Sequence, residues 1–206
     1  MRIGRDPGHA HLLVGLLLLR AELPIGCGLG YLELDALLRF LVHEFEKEGF
    51  RVEGAHEVME DLTLPAGPLG AHAPGEADRA DADRALEVAR ELGRLDIGQA
   101  AVVARGLVLA VEAQEGTAAM LVRVGDLPEA VRGKPGAPSG VLAKAPKPIQ
   151  ETRVDMPTIG LATVQAAASV GLRGIVGEAG RLIVLDREAV IAAADDLGLF
   201  ILGVEP

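Results

Sequence analysis

This sequence predicts a layered α/β fold, a mixed sheet with flanking helices, and three observations carry that prediction. From residue 161 onward helical and extended patterns alternate with short connections: helix 161–170, strand 174–176, strand 182–185, helix 187–197 and strand 200–202. Earlier, the apolar runs Ala100–Ala104 and Leu107–Val111 are parted by Arg105-Gly106, a hairpin signal. Half of the 206 residues are hydrophobic and only 2% are aromatic, so the chain can bury a substantial, mainly aliphatic core.

Residues 1–33 read as an atypical N-terminal segment, and 34–206 as one domain. The apolar run 12–19 behind Arg2 and Arg5 resembles the start of a secretory leader. Arg20 and Glu22 follow at once, however, and Pro24-Ile-Gly26 before Cys27 does not make a lipoprotein cleavage box. A buried helix or a poorly ordered start is the expectation. Gly26, Gly28 and Gly30 lack the preceding strand and following helix of a dinucleotide fingerprint and read as a connector.

Leu37, Leu38, Leu41, Val42 and Phe45 recur at helical spacing over 34–48, with Gly49 closing the helix and 50–52 a short strand. Residues 65–74, rich in Gly, Ala and Pro, read as a loop. A charged helix over 77–92 offers Leu86, Val88, Ala89 and Leu92 for burial and ends at Gly93. The hairpin follows, then a helix beginning near Thr117 as its cap. Val141-Leu-Ala143 enters a polar loop, 144–160, that leads into the helix over 161–170. Asp186 reads as the N-cap of the helix 187–197, with Asp195 and Asp196 solvated near its end.

Composition excludes several functions. Thirty acidic against 20 basic residues, a net charge of -10, argue against broad attraction to nucleic acid, and the scarcity of aromatics removes base-stacking platforms. The single Cys27 excludes an internal disulfide and fits a reducing compartment. His43 and His56 are isolated, and no His/Cys pair has zinc spacing.

Two stretches concentrate polar chemistry. In 144–160 the prolines 146, 148 and 157 hold Ala145, Lys147 and Met156 out of helix, so the segment reads as a stiff, extended loop. Lys144, Lys147 and Arg153 suit an anion, and the Arg153 fork suits a phosphate. In extended backbone Arg153 and Asp155, two apart, face one side, where the carboxylate would hold a divalent metal or take a proton from water. An internal ion pair closing a surface loop explains the same spacing. The second stretch is Val111-Glu-Ala-Gln-Glu-Gly-Thr117, with Glu112 and Glu115 at a strand end and Gly116 before a helix N-terminus that suits a phosphate oxygen. Plain capping by Thr117 is the alternative. Glu178, at a tight turn, either lines a site or covers the turn.

These pieces, together with Phe45-Glu-Lys-Glu-Gly-Phe50, Asp96-Ile-Gly-Gln99, Gly177-Glu-Ala-Gly180 and Leu197-Gly-Leu-Phe200, resemble the LpxI family of UDP-2,3-diacylglucosamine pyrophosphatases and occur in the family's order over 34–206. The resemblance implies Mg2+-dependent hydrolysis of UDP-2,3-diacylglucosamine to UMP and 2,3-diacylglucosamine 1-phosphate (lipid X) in lipid A biosynthesis. It carries the catalytic aspartate onto Asp155, with Lys144, Lys147 and Arg153 neutralising phosphate oxygens. Gln150, Thr117, Gly116 and Glu178 are the substrate-binding candidates, and Asp155, Glu112 and Glu115 the candidate metal ligands. It further implies a cytoplasmic enzyme meeting the inner membrane peripherally, and a homodimer is one candidate assembly. Two departures stand out. The chain has Glu115-Gly-Thr-Ala118 where the family reads Glu-Gly-Thr-Asp, and residues 1–33 do not encode the family's Rossmann-like N-terminal domain. The rival expectation is therefore a non-catalytic phosphate- or glycolipid-binding module.

Overall fold

The computed structural model describes residues 2–5, 12–13, 34–148 and 151–206. They belong to two compact units, one within Met1–Asp61 and Gln150–Met156, the other Leu62–Ile149 with Pro157–Pro206. The division thus falls at Asp61/Leu62, while the sequence places one at 33/34.

In the first unit, β1 (Arg2–Arg5) pairs antiparallel with β2 (Leu12–Leu13). After α1 (Leu34–Lys47), β3 (Phe50–Glu53) pairs with β1 on its other side, and the short α2 (Ala55–Val58) follows. The helical spacing does its expected work: Leu38 and Val42, four apart, are buried. Gly49 turns the chain at φ +84°, which brings Phe50 edge-on to Phe45 with ring centroids 6.1 Å apart. Of the apolar run 12–19, only β2 lies within the described residues; the rest of it and the connector at Gly26, Gly28 and Gly30 lie outside them.

The second unit is the predicted layered α/β body. Its elements run β4 (Gly67–Leu69), α3 (Glu76–Arg94), β5 (Ala100–Ala104), β6 (Leu107–Val111), α4 (Gly116–Gly125), α5 (Glu129–Arg132), β7 (Gly133–Lys134), β8 (Ala137–Pro138) and β9 (Val141–Lys144). Then follow β10 (Thr158–Ile159), α6 (Leu161–Ser169), β11 (Gly174–Glu178), β12 (Ile183–Val184), α7 (Arg187–Leu197) and β13 (Phe200–Val204). Six strands form one mixed sheet in the order β4-β13-β11-β9-β5-β6. Its centre, β13, β11 and β9, is parallel, while β4 and β5 run against their neighbours.

Strand alternation sorts the core into two faces. Ala100, Val102, Leu142, Ile175 and Ile201 pack with Met120, Leu121 and Val124 of α4, Val164 and Ala167 of α6, and Val190 and Ala194 of α7. The alternate residues Ala101, Val103, Val141, Ala143, Val176 and Phe200 pack with Ala82, Ala85, Leu86 and Ala89 of α3. The central strands are buried on both sides, so they carry continuous apolar runs.

Four local expectations change. The loop 65–74 contains β4, an edge strand antiparallel to β13, where Pro68 needs no partner on its outer side. Gly93 does not end its helix but lies within α3, where an added Cβ would sit 3.2 Å from Lys147 Cα; it lets the chain after β9 approach the helix. Asp195 is not simply solvated: its Oδ1 accepts the Ala71 N–H at 2.7 Å. The hairpin turn is as read, and the fold adds a buried Asp81 on α3 whose two oxygens accept the Arg105 and Gly106 N–H groups at 2.8 and 2.7 Å. Those residues sit at φ +54° and +76°, so the carboxylate steadies a left-handed turn.

Candidate active site at the carboxyl edge of the sheet

Strands β9, β11, β13 and β6 all end at one edge of the second unit's sheet, and β5 begins there. The carboxyl edge of parallel strands is where open α/β sheets bind ligands. Among the described residues five polar side chains are buried, and four of them, Gln99, Glu112, Lys144 and Glu178, lie at this edge. Desolvating so many polar groups in one place costs stability and marks the edge as a site.

Lys144 is the last residue of β9 and registers with Gly177 on β11 and Ala100 on β5. The Ala100 carbonyl in turn accepts the Glu112 N–H at 2.8 Å. Lys144, Ala100 and Glu112 therefore form a row across three strands, and alternation from Leu142 and Ala110 puts the lysine and the glutamate on the face that packs α4, α6 and α7. Only a methyl group stands on the strand between them. The Lys144 Nζ donates to the Thr158 carbonyl at 3.1 Å, which ties the end of β9 to β10.

The remaining predicted residues of this unit are ion-paired or do different work from that expected. Lys147 donates to Asp96 Oδ1 at 2.7 Å. Glu178 is not at an open turn; it ends β11 on the α3 face, where Arg90 Nε donates to it at 2.7 Å and Arg181 Nη1 at 3.0 Å. Glu115 is paired with Arg123 and accepts the Ala113 N–H at 3.2 Å; hydrogen bonding to its own backbone N–H, then Arg123, holds its carboxyl below the usual range. Thr117 does not cap α4, because the helix starts at Gly116, φ +78°, with Glu115 at the N-cap position. Glu112 differs from all of these: its Oε2 is buried with no hydrogen-bond partner among the described residues, and so is the Oε1 of Gln99. An acceptor left this way costs about 1–3 kcal/mol, more for a carboxylate, and wants an explanation.

The first unit holds Arg153 and Asp155, and here the extended reading is corrected. Val154 and Asp155 both donate their N–H groups to the Glu151 carbonyl, at 3.0 and 2.9 Å, so residues 152–154 form a turn and the two-residue alternation that aimed Arg153 and Asp155 one way does not apply. The Arg153 guanidinium is bidentate to Glu151, at 2.8 and 2.9 Å, and reaches Glu46 at 2.6 Å. These pairings raise the arginine's pKa, and the hydrogen bond from Arg153 holds Glu151 below the carboxylate range. Arg153 is thus committed to closing the turn, as the ion-pair alternative had it, with Glu151 rather than Asp155 as its partner. Asp155 is half-buried. Gln150 lies outside the described residues.

The Glu151–Arg153 pair carries a pH dependence. Because Glu151's folded-state pKa lies below its unfolded value, the pair's stabilisation is present above the ordinary carboxylate range and is lost as pH falls through the depressed pKa. Melting curves of the wild type and Glu151→Gln should differ by about 1 kcal/mol near neutrality and converge in acid. A difference that grows with acidity would contradict that assignment.

For a divalent cation the fit is partial. Among the described residues no group of three His, Cys, Asp or Glu side chains could hold a metal ion. Glu115 spends its carboxylate on Arg123, whereas the orphaned oxygen of Glu112 suits a hard cation. One or two carboxylates, with the rest of the coordination from substrate phosphates, is the usual way Mg2+ is held.

The family model of the LpxI C-terminal domain matches residues 65–202, nearly the whole of the second unit. The chain belongs to the LpxI family. The UDP-2,3-diacylglucosamine pyrophosphatase LpxI of Caulobacter vibrioides is 72% identical over 172 residues, which cover 84% of this chain and 61% of that protein. The chain thus spans about three-fifths of the length of this LpxI relative. Of the motifs that carry the resemblance, Asp96-Ile-Gly-Gln99 brings residues to the edge that the sequence does not mark as site candidates. Asp96 holds Lys147, Gly98 packs on the Glu112 backbone and Gln99 ends in an orphaned oxygen. The signal that was available is a polar Gln directly ahead of a wholly apolar strand.

Proposed function

We propose that this chain hydrolyses the pyrophosphate bond of UDP-2,3-diacylglucosamine, releasing UMP and 2,3-diacylglucosamine 1-phosphate. The observation that carries the reading is the buried Lys144–Ala100–Glu112 row at the carboxyl edge, in a chain that is 72% identical to a pyrophosphatase of that name. Such a reaction needs charge neutralised on phosphate oxygens and a water held in line; it needs no covalent nucleophile. Lys144, held by Thr158, presents an ammonium group to the phosphate oxygens. A general base takes the proton of the attacking water as its oxygen bonds to one phosphorus of the bridge and the bridging oxygen leaves with the other phosphate; Asp155, in the first unit, is the residue the resemblance offers for that role. Mg2+, when bound, would supply further neutralisation of the diphosphate, with Glu112 as the carboxylate that the second unit offers it.

Among the described residues no helix is long and apolar enough to cross a membrane. The substrate's acyl chains are delivered from a lipid surface, so in this reading the protein works at the cytoplasmic face of the inner membrane as a peripheral visitor. The deciding assay follows UMP release from UDP-2,3-diacylglucosamine by the 206-residue chain in Mg2+ and then in excess chelator. Turnover that collapses with the chelator supports the reading, and turnover that survives it removes the metal. Saturable binding without any UMP would replace hydrolysis by the binding-module reading.

A further inference from the structure

Gln99 stands just ahead of β5, and its main-chain carbonyl accepts the Ala145 N–H at 3.0 Å, tying it to the end of β9. Gly98 before it lies so close to the end of β6 that a Cβ there would fall 2.1 Å from the Glu112 carbonyl oxygen. Three strand ends are thereby drawn together, and only glycine fits at 98. The side chain carried into this junction is 7% exposed, and its Oε1 meets no donor among the described residues. A hydrophobic residue of similar size would fill the same space without burying an unpaired acceptor.

We propose that Gln99 is a specificity residue whose side-chain carbonyl accepts a hydrogen bond from a hydroxyl or N–H group of a bound sugar nucleotide. The proposal rests on the sugar-nucleotide reading given above and adds a residue and a chemistry to it. A neutral carbonyl oxygen repels phosphate oxygens and attracts only donors, so it cannot serve the diphosphate. The donors of a sugar nucleotide are on its sugars and base. Lys144 ends the adjoining strand β9 at the same edge, while alternation from Ala101 and Ala145 puts Gln99 on the face that packs α3, so the acceptor and the cation stand on opposite faces of one strand edge.

The test is calorimetric binding of UDP-N-acetylglucosamine and, separately, of inorganic pyrophosphate to the full chain and to Gln99→Leu, with melting temperatures of both proteins. We expect Gln99→Leu to bind the sugar nucleotide about five- to tenfold more weakly, the loss of one hydrogen bond, and to bind pyrophosphate unchanged. Its melting temperature should be equal or higher, because the orphaned acceptor is gone. Equal affinity for the sugar nucleotide, equal weakening for both probes, a lowered melting temperature, or no binding of UDP-N-acetylglucosamine by the wild type would each overturn the proposal. Neither probe result depends on UMP release, so a chain that discriminates in this way without turnover would keep Gln99's role and lose the hydrolase.

Discussion

Asp155→Ala should release UMP at least about a hundredfold more slowly than the wild type. The magnitude is that of a positioned proton acceptor, typically 10²- to 10⁴-fold. The residue suits the role by being half-buried and by having its backbone fixed: its N–H is bound to the Glu151 carbonyl at 2.9 Å, in a turn that Arg153 closes through Glu151 and Glu46. Steady-state rates measured beside thermal melts separate the cases. Equal turnover removes Asp155 from the mechanism, and a rate loss that tracks unfolding reassigns it to the turn.

Lys144→Met should likewise cut turnover by about 10²- to 10³-fold, the usual cost of losing one preorganised positive donor to a phosphoryl transition state. Its effect on stability should be neutral or favourable. Lys144 is 6% exposed, and methionine fills the volume of its stem without an ammonium group to desolvate. Among what is lost structurally is the bond to the Thr158 carbonyl at 3.1 Å, worth about 1 kcal/mol. An interaction made in the transition state predicts that kcat and kcat/KM fall together. A rise in KM alone would make Lys144 a ground-state phosphate anchor, and full activity would leave the row without a catalytic part.

These expectations differ in how far they could be read without the fold. Asp155 and Lys144 stand in a stretch whose order of residues resembles the family's, so both were visible as candidates. Extended backbone predicts Arg153 and Asp155 on one side. The turn at 152–154 defeats it, because Glu151 offers both a carbonyl for two N–H groups and a carboxylate for the guanidinium. The preference of Thr for N-caps predicts Thr117 as the cap, whereas Gly116 at φ +78° starts the helix one residue sooner. The enrichment of Gly after helices predicts Gly93 as a stop, and packing against Lys147 explains it instead.

The sequence by itself determined the alternation of helix and strand, the hairpin at Arg105-Gly106, the Asp186 cap, which receives the Ala189 N–H, and membership of a family, all from local spacing or from motif order. Only the tertiary structure decided which charges are spent and which remain. Arg90 reaches Glu178 across 88 residues of chain, Lys147 reaches Asp96 across 51, and Gln99 and Glu112 each keep an oxygen with no hydrogen-bond partner among the described residues. Such pairings follow from strand register and helix docking, which bring together side chains whose distance along the chain says nothing of their distance in space.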